Sequence, residues 1–137
     1  MRFAKTVFTG AGIWGLLILT PLYFTFDLVG REYPPPITHP DLYYGFIGLA
    51  IAWQFGFLVI GRDPVRFRPM MIPAMVEKFI FVASQSALYI QGRVVVGQLA
   101  VAVPDLILGI LFIASFFKLA DRRFFSAVIE PVERRGG

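Results

Sequence analysis

Side chains able to bind a ligand or transfer a proton lie within stretches of sequence that are otherwise apolar. Glu77, Lys78 and Gln85 interrupt one such stretch, and Asp105 interrupts the next. Moving a charged side chain into hydrocarbon costs on the order of 2.5 to 3.5 kcal/mol, so each of these charges needs a partner. Carboxyl groups buried in this way are also frequent acid/base groups and ligand contacts. These residues are therefore the candidate site.

The helical period predicts which of these side chains meet. It places Glu77, Lys78 and Gln85 on one side of one helix, and it turns Asp105 toward the bundle interior from the next helix. A lysine stem is long and flexible, so we expect Lys78 to reach toward Asp105. Glu77 and Lys78 are adjacent and point about 100° apart, so we expect each of them to seek a different partner.

Depth along the helices predicts two polar layers. With a rise of about 1.5 Å per residue, Glu77 and Lys78 lie at the level of Gln54 on an earlier helix. Asp105 and Gln85 form the second layer, nearer the outer surface of the membrane, with Gln98 as a further candidate member. The candidate ligand-binding residues are thus Glu77, Lys78, Asp105, Gln85 and Gln54.

The elements that position these side chains are four membrane spans. The apolar stretches 7–26, 43–61, 70–90 and 94–117 are each near the roughly 20 residues that cross a bilayer as a helix. Mean hydropathy is +0.70 and only 16% of the residues are charged. Short connections favour an up-down-up-down arrangement. The sequence predicts an all-α integral membrane four-helix bundle made of one domain, residues 1–137.

Positive residues cluster beside alternate span ends and predict the orientation. They precede the first span, join the second to the third, and follow the fourth: Arg2, Lys5, Arg62, Arg66, Arg68, Lys118, Arg122 and Arg123. The positive-inside rule places both termini in the cytoplasm, and we expect the bacterial inner membrane as the location. Arg62, Arg66 and Arg68 are candidates to bind anionic lipid headgroups, or they only enforce topology.

The connecting segments contain recognisable features. Prolines at 34, 35, 36 and 40 predict a stiff, extended outer loop over residues 31–40. The tail, residues 121–137, is predicted to be interfacial at its start and frayed at its end. Asp41, Gly45, Gly48 and Ala52 share one face of the second span, where the small residues predict close packing of a neighbouring backbone.

Several kinds of chemistry lack the residues they need. There is no cysteine, which excludes disulfides and thiolate metal sites. His39 is the only histidine, so no metal site is predicted. No cofactor motif, phosphate loop or nucleophile–base arrangement is visible, which leaves enzymatic activity undecided. With so little chain outside the spans, we expect no soluble domain and no nucleic-acid partner.

Some short motifs carry a resemblance to known proteins. They are Tyr33-Pro34-Pro35-Pro36, His39-Pro40, Tyr44-Gly45-Phe46, Trp53-Gln54, Arg62-Asp63-Pro64-Val65-Arg66 and Glu77-Lys78. Together they resemble small uncharacterised four-span bacterial membrane proteins, and the architecture is loosely similar to the DoxX-like group. The resemblance implies a fold rather than an activity.

The polar residues have a structural and a functional interpretation. In the first they form a network that fixes the register of the helices, where interhelical hydrogen bonds contribute about 0.6 kcal/mol each. In the second they contact a small apolar or lipid-like molecule in an internal cavity, which is the leading hypothesis. The alternative is an accessory or assembly subunit of a larger membrane protein complex. A homo-oligomer is a separate possibility, and finding one would disfavour the subunit interpretation.

Overall fold

The protein is all-α throughout the residues that the structure describes. The computed structural model describes residues 1–32 and 36–133, with side chains only as far as residue 120. Six α-helices follow one another: α1 Arg2–Leu19, α2 Phe26–Glu32, α3 Pro40–Arg62, α4 Met71–Ile90, α5 Val96–Ala100 and α6 Val103–Glu133. Short 3-10 turns follow α1 (Thr20–Phe24) and precede α4 (Arg68–Met70).

Four helical segments are long and apolar enough to cross a membrane. Span one is Arg2–Phe24, span two Pro40–Arg62, span three Arg68–Ile90 and span four Val96–Ala120. Each has 23 to 25 residues, which is sufficient for a bilayer. The predicted fold, an all-α integral membrane four-helix bundle, is confirmed.

The four spans do not pack equally on their neighbours. Span one packs extensively on span two and also contacts span four, and spans three and four pack on each other. Spans two and three are joined by a short link, yet they make few direct contacts. The bundle is therefore most open between spans two and three.

The start of span one, the end of span four and the link between spans two and three lie at the same end of the bundle. Lys118 Nζ lies 4.1 Å from the centroid of the Phe3 ring, which places the end of span four beside the start of span one. Arg68, in the link, donates a hydrogen bond to the Phe116 carbonyl oxygen at 3.2 Å. The position of this end in the cytoplasm remains a prediction from the positive charges.

Three phenylalanines form the centre of the packed core. Phe8 from span one stacks on Phe112 from span four, with ring centroids 4.1 Å apart. Phe57 from span two packs edge-on against Phe112 at 5.1 Å and against Phe8 at 6.3 Å. All three rings are fully buried. This aromatic core fixes three spans against one another on the side where span one begins and span four ends.

At the opposite end of the bundle, aromatic residues attach the C-terminal end of span one to the start of span two. The Tyr43 hydroxyl donates to the Leu22 carbonyl oxygen at 2.9 Å, and Phe26 packs edge-on against the Tyr43 ring at 5.1 Å. Tyr44 stacks on both Tyr23 and Phe26 at 5.7 Å. The Leu22 carbonyl oxygen also accepts a hydrogen bond from the Thr25 amide at 3.3 Å, so the Tyr43 hydroxyl is its second donor and ties the end of span one to span two.

Spans one and two approach closely because of glycines, but not those predicted on span two. Gly12 and Gly15 of span one are buried against span two. On the predicted stripe, Gly45 faces open space and Ala52 is exposed, while Gly48 lies near the Tyr23 hydroxyl. The prediction that this stripe packs inside the bundle is therefore wrong for Gly45 and Ala52. Periodicity shows that four positions share a face, but not which way that face is turned.

Span four is divided into two helices beside Pro104. The short α5 ends at Ala100, and α6 begins at Val103 after a turn. Proline has no amide hydrogen to donate and is well tolerated in the first turn of a helix, which is the position Pro104 occupies in α6. As a result Asp105 lies in the first turn of α6 instead of in the middle of a continuous helix.

Two predictions on connecting segments fall partly outside the described residues. The extended geometry expected at prolines 34 and 35 lies there, as does the frayed end expected at residues 134–137. The chain before these prolines is helical from Phe26 to Glu32. Beyond span four, α6 continues to Glu133, so the start of the tail is a helical continuation of the span.

Replacing Gly12 by alanine tests the close contact between spans one and two. The added Cβ would lie 2.8 Å from the Leu58 side chain and 2.9 Å from the Gln54 carbonyl oxygen, so the helices must separate. We expect a loss of about 1–3 kcal/mol of unfolding free energy, measured by denaturation in lipid–detergent micelles. Gly10→Ala is the matched control, because nothing lies within 4 Å of its Cβ position. Equal stability of the two variants would contradict this packing.

Candidate functional site

Three charged side chains form a cluster between spans three and four. Lys78 Nζ lies 2.5 Å from Asp105 Oδ1 and 3.2 Å from Glu77 Oε2. The Lys78 side chain is 6% exposed, against 24% for Glu77 and 20% for Asp105. The predicted reach of Lys78 to Asp105 is seen. These three residues are called the ion cluster below.

The pairing of Glu77 with Lys78 corrects the expectation that they seek different partners. The two Cα–Cβ bonds diverge along the helix, but the four-carbon stem of lysine lets its ammonium fold back to the neighbouring carboxylate. Lys78 Nζ also lies 5.2 Å from the centroid of the Phe57 ring in the aromatic core. An ammonium surrounded by apolar side chains has few acceptors within reach, so it takes both carboxylates.

The break in span four gives Asp105 a favourable place for its charge. Asp105 is in the first turn of α6, where amide groups without helical partners and the helix dipole produce a partial positive charge. A carboxylate at this position is stabilised. The same sequence feature, Pro104 next to Asp105, thus ends the continuous helix and places an anion where a helix favours one.

The ion cluster borders a partly open cavity lined by all four spans. Its volume is about 170 Å³. The cavity is lined by Trp14, Gly15, Ile18, Leu19, Leu22, Phe46, Ala50, Gln54, Glu77, Lys78, Phe81, Val101, Pro104, Asp105 and Leu108. Most of these side chains are apolar, so the polar groups of the wall are concentrated in the ion cluster and Gln54.

Gln54 lies in the cavity wall because span one leaves room for it. Its Nε2 donates to the Ala50 carbonyl oxygen of its own helix at 2.9 Å. A Cβ at Gly15 would overlap the Gln54 side-chain carbonyl. Gly15 therefore permits a buried amide at the level of the ion cluster, where the sequence predicted Gln54 to be.

One oxygen of the ion cluster has unused acceptor capacity. Glu77 Oε2 is buried and lies within ion-pair distance of Lys78 Nζ, but it accepts no hydrogen bond from the residues that the structure describes. Buried polar atoms are usually hydrogen-bonded. This oxygen can therefore accept a hydrogen bond from a molecule in the cavity.

The predicted outer polar layer does not form around Asp105. Gln98 Oε1 accepts a hydrogen bond from the Val95 amide at 3.0 Å, at the start of α5. Gln85 is outside the described lining of the cavity. Asp105 joins Glu77 and Lys78 instead, because the lysine stem spans the difference in depth between the predicted layers.

The three arginines of the link between spans two and three have different environments. Arg62 and Arg66 are exposed, as side chains that contact lipid headgroups must be. Arg68 is half-buried, with its guanidinium 3.9 Å from the centroid of the Phe116 ring. Arg68 therefore binds span four within the bundle. A headgroup contact at these arginines remains a prediction.

Sequence reasoning missed several residues that shape the site. Gly15, Phe46 and Phe81 line the cavity, and none of them was singled out as a site residue. Phe46 and Phe81 lie one helical turn from Ala50 and Glu77 respectively, so their spacing carried a signal of a shared face. Nothing in the sequence indicated that the two rings meet across the gap between spans two and three.

Comparisons with protein-family models, with curated proteins and with solved structures find no match for this chain. The resemblance to the DoxX-like group is therefore still a prediction. The function has to be argued from the ion cluster and the cavity.

Neutralising Lys78 tests whether the ion cluster is a coupled unit. Lys78→Met leaves two carboxylates without their ammonium, and we expect a loss of about 3–5 kcal/mol of unfolding free energy. The triple variant Lys78→Met, Glu77→Gln, Asp105→Asn removes all three charges and is expected to recover most of that loss. Lys118→Met, at an exposed cation–π pair with Phe3, is the control, with an expected loss of about 1 kcal/mol or less. A triple variant no more stable than Lys78→Met would show that the three charges are not coupled.

Proposed function

We propose that this chain is an integral protein of the bacterial inner membrane that binds a small apolar or lipid-like molecule. The molecule occupies the cavity lined by the four spans. Its polar atoms contact the ion cluster, and its apolar part contacts the remaining wall. Both chain termini face the cytoplasm in this proposal.

The composition of the cavity wall is the observation that carries this proposal. Binding sites for small molecules are typically concave and mostly apolar, with a few convergent polar groups that orient the ligand. The cavity has this composition, with Gln54 and the ion cluster as the polar groups. Ionisable residues in a membrane span also mark functional sites by default, because they are costly to bury.

The size of the cavity limits what it holds. Its volume is about 170 Å³. A dry cavity of about 150 Å³ holds a molecule the size of benzene. A ligand enclosed entirely by the bundle is therefore small, and a larger one has to extend beyond the cavity.

Filling the cavity with a protein side chain tests the proposal. Ala50 lines the cavity, whereas Ala52 is exposed on the lipid-facing side of the same helix. We expect wild type and Ala52→Phe, released from their own membrane under mild conditions, to retain a small molecule of reproducible mass in native mass spectrometry. We expect Ala50→Phe to lose it, because the new ring occupies the site.

Two outcomes would contradict ligand binding at this site. One is the absence of any retained small molecule in wild type. The other is equal retention by Ala50→Phe and Ala52→Phe. Thermal unfolding of each variant shows whether Ala50→Phe is folded. If it is not, Ala50→Val places a smaller side chain in the cavity and serves as the test variant.

The exposed small residues of span two favour a second candidate, an accessory subunit. Gly45 and Ala52 present a smooth surface to the bilayer, and small residues of this kind allow close helix contacts in membranes. A different membrane protein would dock there, and a symmetric homo-oligomer would count against this candidate. Native mass spectrometry distinguishes this candidate. The accessory-subunit interpretation predicts a reproducible partner mass in wild type, its loss in Gly45→Leu, and no retained small molecule.

A further inference from the structure

We infer that Phe46 and Phe81 form a lateral gate through which the head of a single-chain amphiphile enters the cavity from the bilayer, and that this head donates hydrogen bonds to Glu77. The inference rests on the proposed function, since it names the ligand class and the entry route of the same site.

A second concave surface lies directly outside the cavity. This lateral groove runs between spans two and three and has a volume of about 240 Å³. It is lined by Phe46, Leu49, Ala50, Trp53, Glu77, Ile80, Phe81 and Ser84. Because Leu49 and Ile80 are exposed on the outside of the bundle, the groove faces the lipid.

The cavity and the lateral groove meet at four shared residues. Phe46, Ala50, Glu77 and Phe81 line both. The Phe46 and Phe81 rings stack across the gap, with centroids 6.1 Å apart and planes at 22°. Ala50 and Glu77 each lie one helical turn from one of these rings. The stacked rings are thus the contact that separates the two volumes.

The helix packing makes this boundary the place where the bundle opens most easily. Spans two and three make few direct contacts, whereas the other neighbouring spans pack closely. A stacked aromatic pair contributes about 0.5–1.5 kcal/mol, so it separates often. Phe46 is 52% exposed, which leaves its ring free to turn toward the lipid.

The volumes of the cavity and the lateral groove, together with the polar groups of the ion cluster, define the ligand class. The cavity accommodates a head and the first carbons of a chain, while the apolar groove accommodates the rest of one chain. Two carboxylates share one ammonium in the ion cluster, and Glu77 Oε2 accepts no hydrogen bond from the described residues. A head that donates hydrogen bonds, an amine or an alcohol, fits this site. A fatty acid would add a third carboxylate, which like-charge repulsion disfavours.

The two tryptophans allow binding to be measured in each volume separately. Trp14 lines the cavity and Trp53 lines the lateral groove. The chain contains no other tryptophan. In the Trp53→Phe protein, reconstituted in lipid nanodiscs, the saturable part of Trp14 quenching reports on the cavity. Trp14 is also 44% exposed at the bundle surface, so probe in the surrounding lipid adds a non-saturable part. A brominated dodecylamine is the quenching probe.

At equilibrium we expect saturable quenching of Trp14 by the brominated amine. Unlabelled dodecylamine and dodecanol should displace the probe, and dodecanoate should not. Ala50→Phe should abolish the saturable quenching, and Ala52→Phe should retain it. Displacement by dodecanoate as effective as by dodecylamine would overturn the assignment of a donating head.

The gate is tested by the rate of quenching after rapid mixing. Phe46→Ala and Phe81→Ala each remove the stacked pair, and we expect entry to be about 2- to 10-fold faster, the factor that corresponds to one lost ring contact. Phe55→Ala is the matched control, because Phe55 lies on the same span and is exposed to lipid away from both volumes. Its rate should equal that of the Trp53→Phe protein without a second substitution.

The failure of this inference is distinguishable from the failure of the proposed function. If quenching of Trp14 is saturable and blocked by Ala50→Phe, but neither phenylalanine variant changes the entry rate, the gate is wrong and the cavity still binds the probe. If the brominated amine does not quench Trp14 saturably in a protein with Ala50 unchanged, and dodecylamine and dodecanol displace no probe, the amphiphile assignment is overturned. Retention of another small molecule in native mass spectrometry would then leave cavity binding itself intact.

Discussion

The constraint on which this structure depends is the burial of one lysine ammonium among apolar helices. Lys78 is almost fully enclosed, next to the Phe57 ring of the aromatic core. A single ammonium in hydrocarbon is too costly to tolerate, so the fold has to bring anions to it. One comes from the adjacent residue, Glu77, and the other from span four, Asp105. The contact with Asp105 also fixes the depth of span four relative to span three.

Other features of the bundle surround this contact. Pro104 ends the continuous helix of span four, which puts Asp105 in the first turn of α6, where a carboxylate is favoured. Gly15 makes room for Gln54 at the same level. The aromatic core closes the bundle on the side where span one begins and span four ends. The cavity lies next to that core, since Lys78 in its wall is 5.2 Å from the centroid of the Phe57 ring.

A structural role for the ion cluster and a binding role draw on the same groups. Pairing with two carboxylates stabilises Lys78, but it leaves one buried oxygen of Glu77 with no hydrogen bond from the described residues. A site of this kind is stable without a ligand and still has acceptor capacity for one. The opening between spans two and three adds a route from the lipid that a purely structural network does not need.

The sequence was sufficient to predict the four spans and the contact between Lys78 and Asp105. Span length and hydropathy follow directly from the bilayer thickness, and the reach of lysine is a property of its stem. The pairing of Glu77 with Lys78 was missed, because the divergence of two Cβ atoms does not limit where a flexible stem ends. The packing of the small-residue stripe on span two was also wrong, since a helical period does not reveal which neighbour a face meets.

The lateral opening was not predictable for a related reason. Short links indicate that consecutive spans run antiparallel, but they do not set how tightly those spans pack. Here span one lies against both span two and span four, which leaves spans two and three with little direct contact. The Phe46–Phe81 stack bridges the gap that results, and it depends on the positions of two helices that only the whole bundle determines.

The most direct test of the central claim is the distance between Lys78 and Asp105 in a lipid bilayer. The chain has three lysines, Lys5, Lys78 and Lys118. With ¹⁵N at the lysine Nζ atoms and ¹³C at the aspartate carboxyl carbons, solid-state NMR measures the dipolar coupling between them, and Lys78→Arg assigns the signal. We expect a strong coupling for Lys78 and Asp105, which Asp105→Asn changes. A Lys78 signal without coupling to an aspartate would contradict the ion cluster.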